Sequence, residues 1–232
     1  MKGKLYGIGT GPGDPELLTI KAVNTIKKCD VIAAPKTGSG EGVALSVIEG
    51  YIGGKELIEC RFFMDRDIKK RRESRQNVAA EITRFLECGK DVGFVTLGDP
   101  TTYSTYMYVH GIIVGKRFNA VIIPGVTSYS AAAAALGIAL CEGDETLTLI
   151  PAMHNDSIDE LLEYPGNKVV MKSGENLSCV LRKLRERGYG DKTKIAYRAT
   201  LDGQQLFNSI NEFENCNMQI QPGYFTLAIV KN

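Results

Sequence analysis

The glycine-rich segment Gly9-Thr10-Gly11-Pro12-Gly13-Asp14-Pro15 is the first that could bind a ligand. It follows a short apolar run, which predicts a tight turn at the carboxyl end of a buried strand, where open α/β sheets bind ligands. A dinucleotide-binding fingerprint needs a third glycine where this chain has Asp14, and Pro12 fits poorly in such a turn. By themselves, the glycines favour a purely structural strand-to-helix turn.

A second candidate is the turn Gly98-Asp99-Pro100, which follows another apolar run. Gly98 lets a ligand approach the backbone closely, and Pro100 favours an extended Asp99. We therefore expect the Asp99 carboxylate and carbonyl to point outward, where the carboxylate suits a ribose hydroxyl or a sulfonium charge. Turns of this composition are common, so the motif is not specific by itself.

The third candidate, Pro124-Gly125-Val126-Thr127-Ser128-Tyr129-Ser130, leads into the alanine run 131–135. A serine or threonine before such a run is typical of a helix N-cap, which is the structural interpretation. The functional interpretation is that the first amides of this helix bind ligand oxygens.

Other chemistry-bearing residues lack partners in the sequence. His110 and His154 have no histidine or cysteine at ligand spacing, so we predict no metal site. The six cysteines contain no C-x-x-C pair, which indicates reduced thiols in a cytosolic protein. The charged run 65–72 favours a solvated helix face over an anion-binding site.

Composition is ordinary for a globular protein: 44% of the 232 residues are hydrophobic and 24% are charged. The formal net charge of +1 gives no global field for nucleic acid or an anionic membrane, so neither is expected as a partner. No signal peptide is expected before the first strand, and the longest apolar stretch, 131–140, is too short to span a bilayer.

These turns are positioned by alternating apolar runs and amphipathic segments, which predict an α/β fold with a parallel, helix-covered sheet. In the first half we expect strands at 5–8, 31–34, 56–60, 92–96 and 121–123, and helices from Asp14, at 43–51, at 67–87 and from about Thr102. In the second half we expect strands at 147–150, 168–171, 194–197 and 225–230, helices at 157–163 and 177–187, and a mixed sheet. The predicted domains are 1–123 and 124–232.

Taken together, the order and separation of the three turns resemble the tetrapyrrole (corrin/porphyrin) methylase family over essentially the whole chain. Within it, three segments are most similar to the enzymes that methylate C20 of precorrin-2 or cobalt-factor II: 63–67, 98–105 and 140–145. The resemblance implies a methyltransferase of cobalamin biosynthesis that uses S-adenosylmethionine. It also implies two α/β domains with the cofactor cleft between them, a tetrapyrrole substrate and a homodimer.

The resemblance also assigns residues to the cofactor. They are Pro12, Leu97, Gly98, Asp99, Thr102, Tyr103, Thr127, Ser128, Met171, Ala199, Thr226 and Leu227. Substrate carboxylates need cations, and Lys36, Arg61 and Arg66 are the candidates near the edge of the first domain. The related uroporphyrinogen methylases have an aspartate, assigned as a catalytic base, where this chain has Pro35, so that substrate is disfavoured.

Several alternatives stay open at this point. A family relative could methylate another ring carbon, rRNA or the diphthamide precursor, and a noncatalytic tetrapyrrole-binding or adenosyl-ligand-binding protein could keep the same turns. The motifs do not distinguish a cobalt-containing ring from a metal-free one. No residue is identified as the base that removes a proton from C20.

Overall fold

Contacts within the chain divide it into two units, Met1–Thr127 and Ser128–Asn232. The computed structural model describes residues 1–36, 42–63, 67–153, 157–216, 223 and 225–232. The domain boundary expected between residues 123 and 124 stays a prediction.

The first unit contains a five-stranded parallel sheet with the order β3-β2-β4-β1-β5 within the described residues. Its strands are β1 (Lys4–Gly9), β2 (Val31–Lys36), β3 (Glu56–Arg61), β4 (Val92–Thr96) and β5 (Asn119–Ile123). The central strands are buried on both faces, which explains why they are continuous apolar runs in the sequence. The predicted parallel, helix-covered sheet is confirmed.

Helices cover both faces of this sheet. They are α1 (Ile20–Lys28), α2 (Val43–Val47), α3 (Ile68–Glu87) and α4 (Tyr106–Gly115). On one face, Ile26 of α1 and Val47 of α2 pack with Ile8. On the other, Ile82 of α3 and Ile113 of α4 pack with Phe94.

Two helix starts in the first unit were predicted wrongly. Asp14 opens only the short 3₁₀ turn Pro15–Leu17, and α1 begins separately with Thr19, whose hydroxyl accepts a hydrogen bond from the Ala22 amide at 3.0 Å. Ile20, the first residue of α1, is 82% exposed. The helix expected from Thr102 begins at Tyr106 because Tyr103 has a φ of 50°, which a right-handed helix does not allow.

Pro35 does not end the second strand as predicted; β2 continues through it to Lys36. Pairing of β2 with β4 runs only from Val31 to Ala33. Beyond that point the strand has a free side, where a proline without an N–H is tolerated.

The second unit contains a mixed sheet with the order β6-β7-β10-β8-β9 within the described residues. Its strands are β6 (Leu147–Pro151), β7 (Asn167–Met171), β8 (Thr193–Tyr197), β9 (Gln205–Phe207) and β10 (Thr226–Val230). β6 and β7 are parallel, and the other three pairings are antiparallel. The predicted mixed sheet is therefore confirmed, although β9 was not predicted from the sequence.

In the described part of the second unit, four helices flank this sheet. They are α5 (Ser128–Ala135), α6 (Ile158–Glu163), α7 (Leu177–Glu186) and α8 (Ile210–Glu214). Ala132 of α5 packs on one face with Met171. The other three helices cover the opposite face, where Leu162 and Leu184 pack with Ala228. No helix of the described residues is long and apolar enough to cross a membrane.

Glu145 anchors the loop before β6. Its carboxylate accepts hydrogen bonds from Lys231 Nζ at 2.7 Å, Asn167 Nδ2 at 2.8 Å and the Glu142 amide at 2.9 Å. These donors stabilise the ionised form and lower the pKa of Glu145 to about 2. One of the segments most similar to the C20 methylases, 140–145, therefore ends in a structural residue.

Because the pKa of Glu145 is lowered on folding, its contribution to stability is present above its ordinary value of 4.5 and is lost as the pH falls toward about 2. We expect the unfolding free energy of E145Q to decrease less than that of the wild type as the pH falls over that range. Urea denaturation of both proteins across this pH range measures it. Parallel pH profiles for E145Q and the wild type would contradict the expectation.

Candidate functional site

The carboxyl ends of β1 and β4 mark the point in the first sheet where a crevice opens. The chain leaves β1 toward α1 on one face, whereas it leaves β4 toward α4 on the opposite face. Neighbouring strands whose connections diverge in this way leave a crevice outside their carboxyl ends, and open α/β sheets bind ligands there.

The three glycine-rich turns meet at this point. Gly11 and Gly98 form an isolated antiparallel bridge, in which the Gly98 amide donates to the Gly11 carbonyl at 2.6 Å and the reverse bond measures 3.3 Å. A Cβ on Gly9 would lie 2.6 Å from the Gly125 nitrogen, and a Cβ on Gly125 would lie 2.3 Å from the Gly98 oxygen. Gly9 and Gly125 are therefore required by close backbone packing.

Asp99 lies at the centre of this junction, and the expectation that its carboxylate points outward is wrong. The residue is only 7% exposed. Its Oδ1 accepts from the Thr101 amide at 2.8 Å and from the Thr101 hydroxyl, and its Oδ2 accepts from the Gly125 amide at 3.0 Å. The Asp99 carbonyl accepts from the Thr102 amide at 3.3 Å. The carboxylate thus joins two turns of the protein.

Gly98 differs from the other glycines of the junction. Its φ is +75°, and, apart from its chain neighbours, no atom of the described residues would lie within 4 Å of a Cβ on it. Its backbone therefore borders open space on that side, which permits the close ligand approach that the sequence predicted. Of the other cofactor candidates nearby, Pro12 is buried, Leu97 and Thr102 are half-buried, and Tyr103 is 45% exposed.

The candidates of the second unit lie at one edge of its own sheet. Met171 ends β7, and Thr226 and Leu227 begin the antiparallel β10. Ala199 lies two residues beyond β8, where the Arg198 amide donates to the Phe225 carbonyl at 3.0 Å. Thr127 and Ser128, which precede and begin α5, are half-buried.

Backbone strain concentrates at this edge. Lys172, Arg198 and Thr200 have φ values of 53°, 51° and 67°. Positive φ is uncommon outside glycine, and strained backbone clusters at ligand sites. Tyr103, at the corresponding edge of the first sheet, has the same property.

Buried hydroxyls without a partner mark the same edge of the second sheet. Ser173 is 1% exposed and Thr226 is 0% exposed, and neither side-chain oxygen has a hydrogen-bond partner among the described residues; the Thr200 hydroxyl is likewise buried and has no partner there. Buried polar groups nearly always have a partner, so each unpartnered hydroxyl indicates a missing water or ligand atom. Ser173 and Thr200 were not predicted from the sequence, where an isolated serine or threonine carries no signal.

We expect T226V to leave the unfolding free energy of the ligand-free protein unchanged or raised, because it removes a buried hydroxyl that forms no bond. If that hydroxyl serves a ligand, ligand affinity falls at the same time. The matched control is T193V in the neighbouring strand, where the buried hydroxyl donates to the Tyr189 carbonyl at 2.7 Å. T193V should cost about 1–2 kcal/mol, measured by urea denaturation. A similar loss in T226V would contradict the assignment.

Two of the three candidate substrate cations already interact with a carboxylate of the protein. Lys36, at the end of β2, donates to the Glu59 carboxylate at 2.8 Å, and Arg61, at the end of β3, lies 3.9 Å from the same carboxylate. The Lys36 ammonium holds the pKa of Glu59 below its usual range. Arg66 lies outside the described residues.

Neither a metal nor a catalytic histidine emerges from the described part of the chain. It contains no group of three or more histidine, cysteine, aspartate or glutamate side chains that could hold a metal ion. His110 Nδ1 lies 2.9 Å from the hydroxyl of the fully buried Tyr106, and burial lowers the pKa of His110. His154 lies outside the described residues.

Comparison with known proteins gives a consistent result. The family model of the tetrapyrrole (corrin/porphyrin) methylases matches residues 4–213. A probable cobalt-precorrin-2 C(20)-methyltransferase of Methanocaldococcus jannaschii is 32% identical, over 98% of this chain and 96% of the relative. A precorrin-2 C(20)-methyltransferase of Sinorhizobium is 30% identical, over 98% and 95%.

The fold also has a close match among solved structures. The uroporphyrin-III C-methyl transferase of Thermus thermophilus, in complex with S-adenosylhomocysteine, matches with a TM-score of 0.72 over 99% of this chain and 98% of the other. The sequence identity is 19%, so the likeness concerns the fold.

Proposed function

This chain belongs to the tetrapyrrole (corrin/porphyrin) methylase family, and from that membership we propose that it methylates C20 of precorrin-2 or of its cobalt complex in cobalamin biosynthesis. The observation that carries the proposal is the near-full-length similarity to enzymes of that specificity, at 30% and 32% identity. Because one of these relatives is named for the cobalt-containing ring and the other for precorrin-2, the ring's metal content is the point that the assay must decide.

We propose S-adenosylmethionine as the cofactor, and the residues present fit it. The open side of Gly98 admits a ligand against the backbone, and the unpartnered hydroxyls of Ser173, Thr200 and Thr226 can bond to polar ligand atoms. The complex of the Thermus thermophilus structure with S-adenosylhomocysteine supports this assignment. We propose cofactor contacts for the residues that the resemblance assigned, except that Asp99 acts by positioning its neighbours.

When bound, S-adenosylmethionine supplies an electrophilic methyl carbon on a sulfonium. The protein's contribution is to hold the methyl carbon and C20 close together while excluding water. Asp99 fixes the Gly98 turn against Gly125, so that the backbone facing the ligand is organised before binding. Since Pro35 replaces the aspartate of the uroporphyrinogen methylases, the chain offers no carboxylate at that position to accept the C20 proton.

The test is incubation with methyl-labelled S-adenosylmethionine and either precorrin-2 or cobalt-precorrin-2, followed by the mass of the product and the position of the label. One added methyl at C20 is the expected result, and the preferred ring assigns the pathway. Label at another ring carbon, or in neither ring, would overturn the proposal. We also propose a homodimer and a cytoplasmic location; light scattering of the purified protein measures the first, and fractionation measures the second.

A further inference from the structure

We propose that Arg72 and Arg75 of α3 bind carboxylates of the tetrapyrrole, and this inference rests on the proposed function. The sequence favoured a solvated face for the run 65–72, which includes Arg72 but not Arg75. Both arginines lie on the same side of α3 as its buried residues Ala79, Ile82 and Leu86.

The inward stripe of α3 has a regular spacing. Leu86, Ile82 and Ala79 are fully buried and recur every three or four residues. The same spacing continues through Arg75, Arg72 and Ile68, so all six positions lie on one side of the helix. Toward the N-terminus, however, the stripe emerges from the core: Arg75 is half-buried, Arg72 is exposed, and Ile68 is 73% exposed.

The length of α3 explains this change. A helix of 20 residues is about 30 Å long, whereas a strand of six residues spans about 20 Å. The far end of α3 is fixed at the amino edge of the sheet, where the Gly3 amide donates to the Leu86 carbonyl at 2.8 Å. The first two turns therefore extend beyond the carboxyl edge, the edge at which the glycine turns meet.

The exposed part of the stripe combines charge with apolar surface. The Arg75 guanidinium stacks 3.5 Å from the centre of the Tyr108 ring in the first turn of α4, which follows the Gly98 turn in the chain. Phe63 and Tyr108 are 61% and 53% exposed. An apolar macrocycle with carboxylate arms needs exposed aromatic side chains beside cations. Stacking on Tyr108 holds the Arg75 guanidinium in place for a bidentate contact with a carboxylate.

Two further observations separate these cations from ordinary surface charges. Lys36 and Arg61 are already engaged by Glu59, whereas neither Arg72 nor Arg75 forms an ion pair within the described residues. In addition, the Arg75 guanidinium is held by its stacking on the Tyr108 ring rather than by a carboxylate. A negatively charged ligand accounts for their position.

The experiment compares R72Q and R75Q with R84Q, which makes the same charge change on the outward side of the last turns of α3. We expect R72Q and R75Q to raise KM for the tetrapyrrole about tenfold each, because each loses one charge-assisted contact. The kcat and the affinity for S-adenosylhomocysteine, measured by calorimetry, should stay near the wild-type values. R84Q should leave KM unchanged.

A binding measurement keeps the inference separate from the proposed function. Uroporphyrin, a fluorescent polycarboxylate tetrapyrrole, and its neutral methyl ester are titrated against each protein. Weaker uroporphyrin binding in R72Q and R75Q, with no change for the ester, supports the inference even if the wild type methylates neither ring. Equal uroporphyrin binding in R72Q, R75Q and R84Q, or an altered oligomeric state in R72Q with unchanged binding, would overturn it.

Discussion

Replacing Gly98 with alanine is expected to weaken binding of S-adenosylmethionine about a hundredfold while the fold remains intact. The added methyl group would project into open space, since no atom of the described residues beyond Gly98 and its two chain neighbours lies within 4 Å of that position. It would collide only with a ligand that approaches the backbone there, and an overpacked contact of this kind costs about 1–3 kcal/mol. Calorimetric titration with S-adenosylhomocysteine measures the loss.

Gly54 provides the matched control for this substitution. It also has a φ of +75° and open space around the missing Cβ, but it precedes β3 at the opposite edge of the sheet. Both alanine variants should lose about 1–2 kcal/mol of stability because alanine is strained at positive φ. If G98A and G54A bind the ligand equally well, the Gly98 turn does not contact the cofactor.

Replacing Asp99 with asparagine is expected to lower the unfolding free energy by about 2–4 kcal/mol and to abolish most methyltransferase activity. Three donors converge on the Asp99 carboxylate from Thr101 and Gly125. An amide has one acceptor oxygen, so at least one donor would face an NH₂ group in a buried position. Urea denaturation and the labelled-methyl assay measure the two effects.

D30N is the control for the Asp99 variant. The exposed Asp30 carboxylate accepts one backbone hydrogen bond, from the Asp91 amide at 2.7 Å, and asparagine can still accept it. We expect D30N to change stability by less than about 0.5 kcal/mol. Full activity in D99N with normal stability would show that the junction of the turns does not depend on this carboxylate.

The sequence predicted the central strands of the first unit because strands buried on both faces are continuous apolar runs. It missed β9, since Gln205–Phe207 has only three residues and lacks such a run. It predicted that the Gly98 turn follows a buried strand, which is confirmed, but it did not predict the orientation of Asp99. That orientation depends on Gly125, which is 26 residues away in the chain and becomes a neighbour only in the folded sheet.

The same limit applies to Arg72 and Arg75. A run of cations is typical of a solvated helix face, and local sequence alone does not show where a core ends. The two arginines lie on the same side of α3 as its buried residues, and they reach the carboxyl edge of the sheet because the helix is longer than the strands. Buried hydroxyls such as that of Ser173 were not predicted from the sequence for a related reason: their lack of a partner among the described residues is a property of the surrounding structure.

The position of β10 has a consequence for synthesis. This strand lies between β7 and β8, although the ribosome makes it after both of them. Until it emerges, β7 and β8 each expose an unpaired edge toward the gap that β10 later fills, and such edges promote aggregation. The described strands of the first unit are complete by residue 123, so this unit can fold during translation. The second unit cannot complete its sheet until β10, its central strand, has been synthesised.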